Sequence, residues 1–427
     1  MSFYNSLESK MMTIGEKVNN NNILMTIRDA FMLVFPLTIF GSIGLVISNF
    51  PYLYKLIGKD AVVSLQKYLG PMSSATMSIM TIFVCLGIGY YLCKRKGGDP
   101  IYGAAIALTS FFLLTPFDLT TEGGELVSNI FSFDRLGAKG MFVGILASFI
   151  AAYLFSYFTN KGFKIKMPDS VPDAVSNSFS SLIPALCTLV FFIAVRILFS
   201  FTSWGNIHDF IYEVIQAPLT HLGSGLIPTL VFILITQVLW FFGLHGQIIV
   251  NSVMDPIWRS LSLENYDAWK AGSELPNIVT KQFMDTFTVG LGGTGMTLIV
   301  VLLLLMFMKS RQLKEVGKLA AVPGLFNINE PCIFGLPIVL NPSIVIPWIV
   351  APILATLFAY ICMSIGVLPY TTGVEVPWTT PVLINGFIST NSIMGSLVQL
   401  AQMVIVGIVW FPFLKAMDKR NITLEGK

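Results

Sequence analysis

The chain has 427 residues, 54% of them hydrophobic and 11% charged, with a mean hydropathy of +0.75, where soluble proteins carry about 25% charged residues. This composition excludes an ordinary soluble enzyme, and a net charge of +3 drawn from short loops excludes a nucleic-acid-binding surface. The five cysteines (Cys85, Cys93, Cys187, Cys332, Cys362) form no CxxC pair and no His-rich cluster, so they read as small apolar residues, and no metal or cofactor is expected.

Residues 1–29 lack the apolar core of a cleavable signal and read as a cytosolic segment. Each membrane span needs about 20 mostly apolar residues. Ala30 to Asn49, Met72 to Cys93, Ile101 to Pro116, Ala138 to Thr159 and Phe179 to Phe201 come near that length and make an N-terminal half, 30–201. Lys94, Arg95 and Lys96, and later Lys161, Lys164 and Lys166, are basic, whereas Asp118 to Arg135 holds four acids against one base. The positive-inside rule therefore places the N-terminus and both basic loops in the cytosol; the loop with Lys55, Lys59 and Lys67 points the other way and is outvoted.

Residues 202–225 form a connector. Ile207, Phe210, Ile211, Val214, Ile215 and Leu219 recur with helical spacing, and His208, Asp209, Glu213 and Gln216 occupy the opposite face. The pattern predicts an amphipathic helix at the membrane surface over Asn206 to Leu222.

The second half, 226–414, is less regular. Leu226 to Val250, interrupted at Gly243 to Gly246, is followed by Val289 to Met308, Ile344 to Gly366 and Ile393 to Leu414. The stretches between them are too broken to cross cleanly and too apolar for water, so they read as re-entrant or broken helices lining a cavity. Lys309, Arg311, Lys314 and Lys318 read as cytosolic, which requires a further crossing within Asn251 to Thr288 that the residues do not locate. Lys415, Lys419 and Arg420 make 415–427 a cytosolic tail. The fold class is an all-α polytopic membrane protein with an even number of spans, about ten.

Chemistry concentrates in the broken stretches. Pro323 to Pro342 carries Glu330 among four prolines and two glycines, and an ionisable group in an apolar run marks a functional site. His245 is flanked by Gly243 and Gly246; alone, a buried imidazole is more often a packing residue than a ligand, but with Glu330 it suggests one shared aqueous pocket. Asn327, Asn329, Gln247, Asn251, Thr294, Asn385 and Asn391 add neutral donors and acceptors, and Trp240, Trp258 and Trp378 add flat faces. Carboxylate, amide and indole together suit a sugar. Trp348 and Trp410 read as an interfacial belt, Arg196 as a snorkelling side chain, and Asp255, Asp285 and Glu375 as solvated segment ends. The run Gly290 to Gly295, GLGGTG, lacks the strand and the Lys-Ser/Thr of a phosphate loop and reads as close packing through small residues.

MPDSVPDAVSNSFSSLIP (Met167 to Pro184), FFGLHGQ (Phe241 to Gln247) and FNINEPCIFGLPIVLNP (Phe326 to Pro342) together resemble the membrane-embedded IIC component of bacterial phosphotransferase-system sugar permeases, in the lactose/cellobiose/diacetylchitobiose family, along the whole chain. The resemblance implies a homodimer of ten-span protomers in the bacterial cell membrane, with a five-span dimerisation half and a transport half containing two re-entrant hairpins. It implies that a disaccharide is bound near His245 and Glu330; a carboxylate that orients a sugar hydroxyl and accepts its proton makes Glu330 the expected base, and by residue type Asn329, Asn327, Trp240, Gln247, Asn251 and Trp378 are expected to share the sugar site. It also implies a separate cytosolic phospho-IIB partner, supplied by IIA and the general proteins of the system, so that the chain is not an enzyme on its own. Two other readings stand beside it: a proton-coupled sugar transporter in which Glu330 titrates, and a membrane sensor or scaffold without flux.

Overall fold

The computed structural model describes residues 21–48, 53–120, 125–168, 170–336 and 338–425; most of the expected cytosolic segment 1–29, and Pro337 of the Glu330 stretch, lie outside them. The described chain forms two compact units, one of Asn20–Gly41 and Gly70–Thr220, the other of Ser42–Leu69 and His221–Lys427. The segment Ser42–Leu69 thus groups with the C-terminal residues rather than with 30–201.

The first unit holds the start of α1 (Asn22–Ser48) together with α4 (Met80–Lys96), α5 (Pro100–Leu114), α7 (Met141–Asn160) and α8 (Asp173–Ser200), and α1 meets α4 where Arg95 pairs with Asp29 at 2.5 Å; the short α2 (Leu53–Ile57) and the polar α3 (Lys59–Ser74), the first of them and most of the second grouped with the other unit, precede α4. The helices α4, α5 and α7 pack on one another, with α8 against α5 and α7. Apolar helices in lipid gain nothing from hiding oil from oil, so they associate through close backbone approach. A Cβ at Gly89 would stand 2.5 Å from the Gly103 carbonyl oxygen, and only glycine permits that crossing. Asp99 caps α5 through the amides of Ile101 and Tyr102, followed by Pro100 at the first helical position where its missing N–H costs nothing. At the other end of α5, the Arg196 guanidinium donates to the carbonyls of Leu113 and Thr115, at 2.6 and 2.9 Å. Arg196 is therefore a helix C-cap and not a snorkelling side chain; cations suit that pole of the helix. An antiparallel hairpin of β1 (Asp118–Thr120) and β2 (Leu126–Ser128), which periodicity did not reveal, precedes α6 (Phe133–Leu136).

The connector is helical but broken: α9 (Ile207–Ile211), a π-turn over Tyr212–Gln216 and α10 (Ala217–Ser224), with a 73° bend to the following helix α11 (Leu226–Phe241). Its polar face is not all wet. His208 and Gln216 are buried; His208 Nε2 meets the Thr115 hydroxyl at 3.0 Å and Gln216 donates to the Ala138 carbonyl at 3.1 Å. Both side chains hydrogen-bond inside the first unit, and a buried polar group requires such a partner.

The second unit continues with α12 (Gly246–Ala271), α13 (Lys281–Phe287), α14 (Leu298–Phe307), α15 (Arg311–Leu325), α16 (Glu330–Gly335), α17 (Val345–Ser364), α18 (Ile384–Thr390) and α19 (Ile393–Glu425). The chain is all-α and multi-pass. Six helices among the described residues are long and apolar enough to cross a membrane, and the bent pair at Ser224–Leu226 makes a seventh candidate. Other expected crossings fall short of that measure because α5 and α14 are short, and because α12, which occupies much of the unassigned 251–288 stretch, is rich in charged residues. Trp348 and Trp410 are fully buried, and the Trp348 indole donates to the Gln237 carbonyl at 3.0 Å. They form core, not an interfacial belt.

Candidate functional site

The centre of the second unit is the irregular chain between α13 and α14. Gly292, Gly293, Gly295 and Met296 all have positive φ, and a Cβ at Gly295 would collide with the Trp348 ring at 2.2 Å. Backbone of this kind, away from water, needs its amides and carbonyls satisfied by side chains. Asn327, itself left-handed at φ 62°, accepts from the Gly292 N–H at 2.8 Å and donates to the carbonyls of Trp378 and Thr380 at 2.6 and 3.0 Å. Asn329 donates to the Thr294 carbonyl at 2.5 Å. Asn385 donates to the Gly290 carbonyl at 3.1 Å, and Gln399 donates to Asn385 Oδ1 and the Thr286 carbonyl. Gln402 spans the carbonyls of Phe287 and Ala355. The glycine run is thus the hub on which the NINEP stretch is hung, a role that small-residue packing alone did not convey.

Glu330 opens α16, with Asn329 as the preceding cap residue and Pro331 next in line. The helix starts there because proline tolerates the first turn and a carboxylate suits the positive end of the helix. Its side chain is exposed. His245 is the cap residue of α12, its Nδ1 accepting from the Ile248 N–H at 3.4 Å, so the imidazole stands at the break between α11 and α12. It too is exposed; its ring lies 4.4 Å from that of the buried Trp240. The two walls meet directly. The Leu340 N–H donates to the Phe241 carbonyl at 2.9 Å.

Of the other nominated residues, Gln247 accepts from the Thr294 hydroxyl at 2.5 Å and lines, with Asn251, Asp285, Thr236, Thr288 and Trp258, a cavity of about 30 Å³, room for about one water. Trp378 is 48% exposed, its ring free to present a face. Asn327 and Asn329, by contrast, are buried with their amides on backbone groups. They hold the walls in register. A larger cavity of about 350 Å³, lined by Gln312, Leu313, Gly335, Asn341, Ser343 and Arg420 among others, contains none of the nominated residues.

The acids Asp255, Asp285 and Glu375 are not solvated ends. Glu375 pairs with Arg259; Lys281 pairs with Asp285 at 2.5 Å and faces Asp255 at 3.7 Å, which also faces Arg259 at 3.7 Å. All five side chains are at most 17% exposed. The sequence signal was available in the four-residue spacing of Asp255 and Arg259, and of Lys281 and Asp285, which places each pair on one helix face. Glu375 could be joined to them only in three dimensions.

Residues 28–352 match the family described as phosphotransferase system, EIIC. The oligo-beta-mannoside-specific EIIC component of Bacillus subtilis is 52% identical over 422 residues, covering 99% of this chain and 96% of that protein. The cellobiose-specific EIIC component of Geobacillus stearothermophilus is 36% identical and covers 99% of this chain and 96% of its own length. The crystal structure of ChbC, the IIC component of an N,N'-diacetylchitobiose-specific phosphotransferase system, superposes with a TM-score of 0.92 at 36% identity, covering 98% of this chain and 99% of that one.

Proposed function

The chain belongs to the phosphotransferase-system EIIC family, and from that premise we propose that it binds a β-linked disaccharide or short oligosaccharide, carries it inward and presents its C6 hydroxyl to a cytosolic phospho-IIB protein. The observation that supports the reading is the joining of the two stretches, the Leu340 N–H donating to the Phe241 carbonyl; in this reading His245 and Glu330 face the same sugar. A sugar hydroxyl is a poor nucleophile. A carboxylate at hydrogen-bond distance orients it and accepts its proton as the phosphoryl group arrives. Glu330 is exposed for such contact, and His245, held as a helix cap, offers Nε2 to the same sugar. Trp378 and the His245–Trp240 pair supply apolar faces for ring C–H groups; Gln247 and Asn251 supply amides toward the second sugar unit. In this reading the transport half moves the bound sugar inward by alternating access. The relatives described above are named for oligo-beta-mannoside, cellobiose and diacetylchitobiose, all of which have the β-linked form that the reading assigns to this chain. The protein works as a homodimer in the cell membrane with both termini cytosolic.

The test uses membrane vesicles. Sugar phosphate accumulates only when phosphoenolpyruvate, the general phosphotransferase proteins and a IIB partner are supplied. Uptake of unmodified sugar that a protonophore abolishes would favour proton-coupled transport through Glu330 instead.

A further inference from the structure

The larger cavity, about 350 Å³, lies in the second unit between the start of α15, the stretch 341–343 that follows α16, and the last turns of α19. Its lining is of two kinds: Leu313 and Phe413 give it an apolar wall, whereas Gln312, Asn341, Ser343 and Arg420 bring donors. Gln312 and Asn341 have committed their amide oxygens, to Asn421 Nδ2 at 3.3 Å and to the Ser343 N–H at 3.0 Å. Among the described residues, their NH₂ groups, the Ser343 hydroxyl and the Arg420 guanidinium have no hydrogen-bond or ion-pair partner, and no Asp or Glu lines the cavity. Asp418 and Glu425, on the same end of α19, accept instead from the N–H groups of Lys309 and Ser310 and of Arg311 and Gln312. Unused donors free of acids suit an anion, and a guanidinium fork matches phosphate.

The depth of the cavity selects the kind of phosphate. The apolar run of α14 ends at Phe307 and Met308, ahead of Lys309 and Arg311, and that of α19 ends at Leu414, ahead of Lys415 and Lys419. Lys415 donates to the Phe307 carbonyl at 2.5 Å, so both helices reach the edge of the hydrocarbon at one level. From Phe413 to Arg420 the lining runs about 10 Å along α19 at helical rise, which covers the headgroup layer just outside that edge. The cations around the mouth draw anionic lipid to it. We propose that this cavity binds an anionic phospholipid, its phosphate on Arg420 and the free amides of Gln312 and Asn341, and its acyl chains passing Phe413 toward the bilayer. A lipid so held braces α15 and α19 against 341–343, the stretch that follows the Glu330 helix. The inference goes beyond the sugar reading and does not rest on it; a soluble phosphate ester offers the same headgroup chemistry without the chains.

Native mass spectrometry of the purified protein in detergent tests the site, with phosphatidylglycerol as the probe and phosphatidylcholine as its zwitterionic counterpart. Phosphatidylglycerol binds in preference, and Arg420→Gln weakens it about tenfold, as for one lost charge-assisted hydrogen bond. Ala416→Trp fills the cavity from α19 and weakens binding similarly with no change of charge, which covers the case in which the first variant does not fold. Lys419→Gln, an equal loss of charge outside the lining, leaves binding as it was. Equal binding of the two lipids, equal losses in Arg420→Gln and Lys419→Gln, or full binding in Arg420→Gln or Ala416→Trp would each overturn the proposal. So would displacement of the lipid by millimolar inorganic phosphate or glucose 6-phosphate, which assigns the cavity to a soluble phosphate.

Discussion

Where Gly89 meets Gly103 in the first unit, two helices approach backbone to backbone, with only the small side chains of Ala107 and Cys93 beside the crossing. Where Gly292 lies near Asn327 in the second, the backbone has left the helix altogether and side-chain amides replace the missing bonds. Both solve the problem of assembling polar chain without water. The first solution is rigid, since regular helices satisfy themselves and small residues only bring them together. The second is costly, depending on Asn327, Asn329, Asn385, Gln399 and Gln402, each placed to answer particular backbone groups. The irregular unit is the one to which the proposed sugar site is assigned, because a cavity wall must present backbone and polar groups that a regular helix would consume.

Substitutions can break that contrast. The largest effect is expected at Glu330. Glu330→Gln lowers the rate of sugar phosphorylation by about 10²–10⁴-fold, the usual share of a general base, while equilibrium sugar binding by calorimetry is largely kept; wild-type rates would remove Glu330 from the chemistry. Next, Arg259→Met strands Glu375 in a buried site and costs about 3–5 kcal/mol, read as a lowered thermal midpoint in detergent. An unchanged midpoint would mean that the ion pairs are solvated.

Two changes of intermediate size compare the units directly. Asn327→Ala leaves the Gly292 N–H unsatisfied and costs about 1–3 kcal/mol, accompanied by weaker sugar binding because the NINEP stretch loses its anchor. Gly89→Val forces α4 away from α5 and costs about 1–3 kcal/mol as an overpacked contact, yet leaves sugar affinity as it was. Equal losses of affinity in both variants would erase the distinction between scaffold and site. The smallest effect is at the α15 start, where Asp418 Oδ1 accepts from the N–H groups of Lys309 and Ser310 at 2.8 and 2.7 Å; Asp418→Ala costs about 1 kcal/mol, as for a lost helix cap, by the same thermal measurement.

The sequence by itself determined the class of molecule and the two stretches that matter. Apolar runs and basic loops imposed a multi-pass helical body, because lipid admits little else. Gly243 to Gly246 and the prolines around Glu330 marked where helices must break, since backbone conformation is a local property of glycine and proline. Only the tertiary structure decided what each polar residue there is for. Asn327 and Asn329 read as sugar ligands in the sequence, but long-range hydrogen bonds to Gly292 and Thr294 commit them to the backbone. Asp255, Asp285 and Glu375 read as solvated ends until Glu375 was brought to Arg259 across more than a hundred residues. Arg196, Trp348 and Trp410 changed roles for the same reason. Hydropathy reports how a side chain partitions between water and lipid, whereas its partner is fixed by which distant backbone groups the fold leaves unsatisfied.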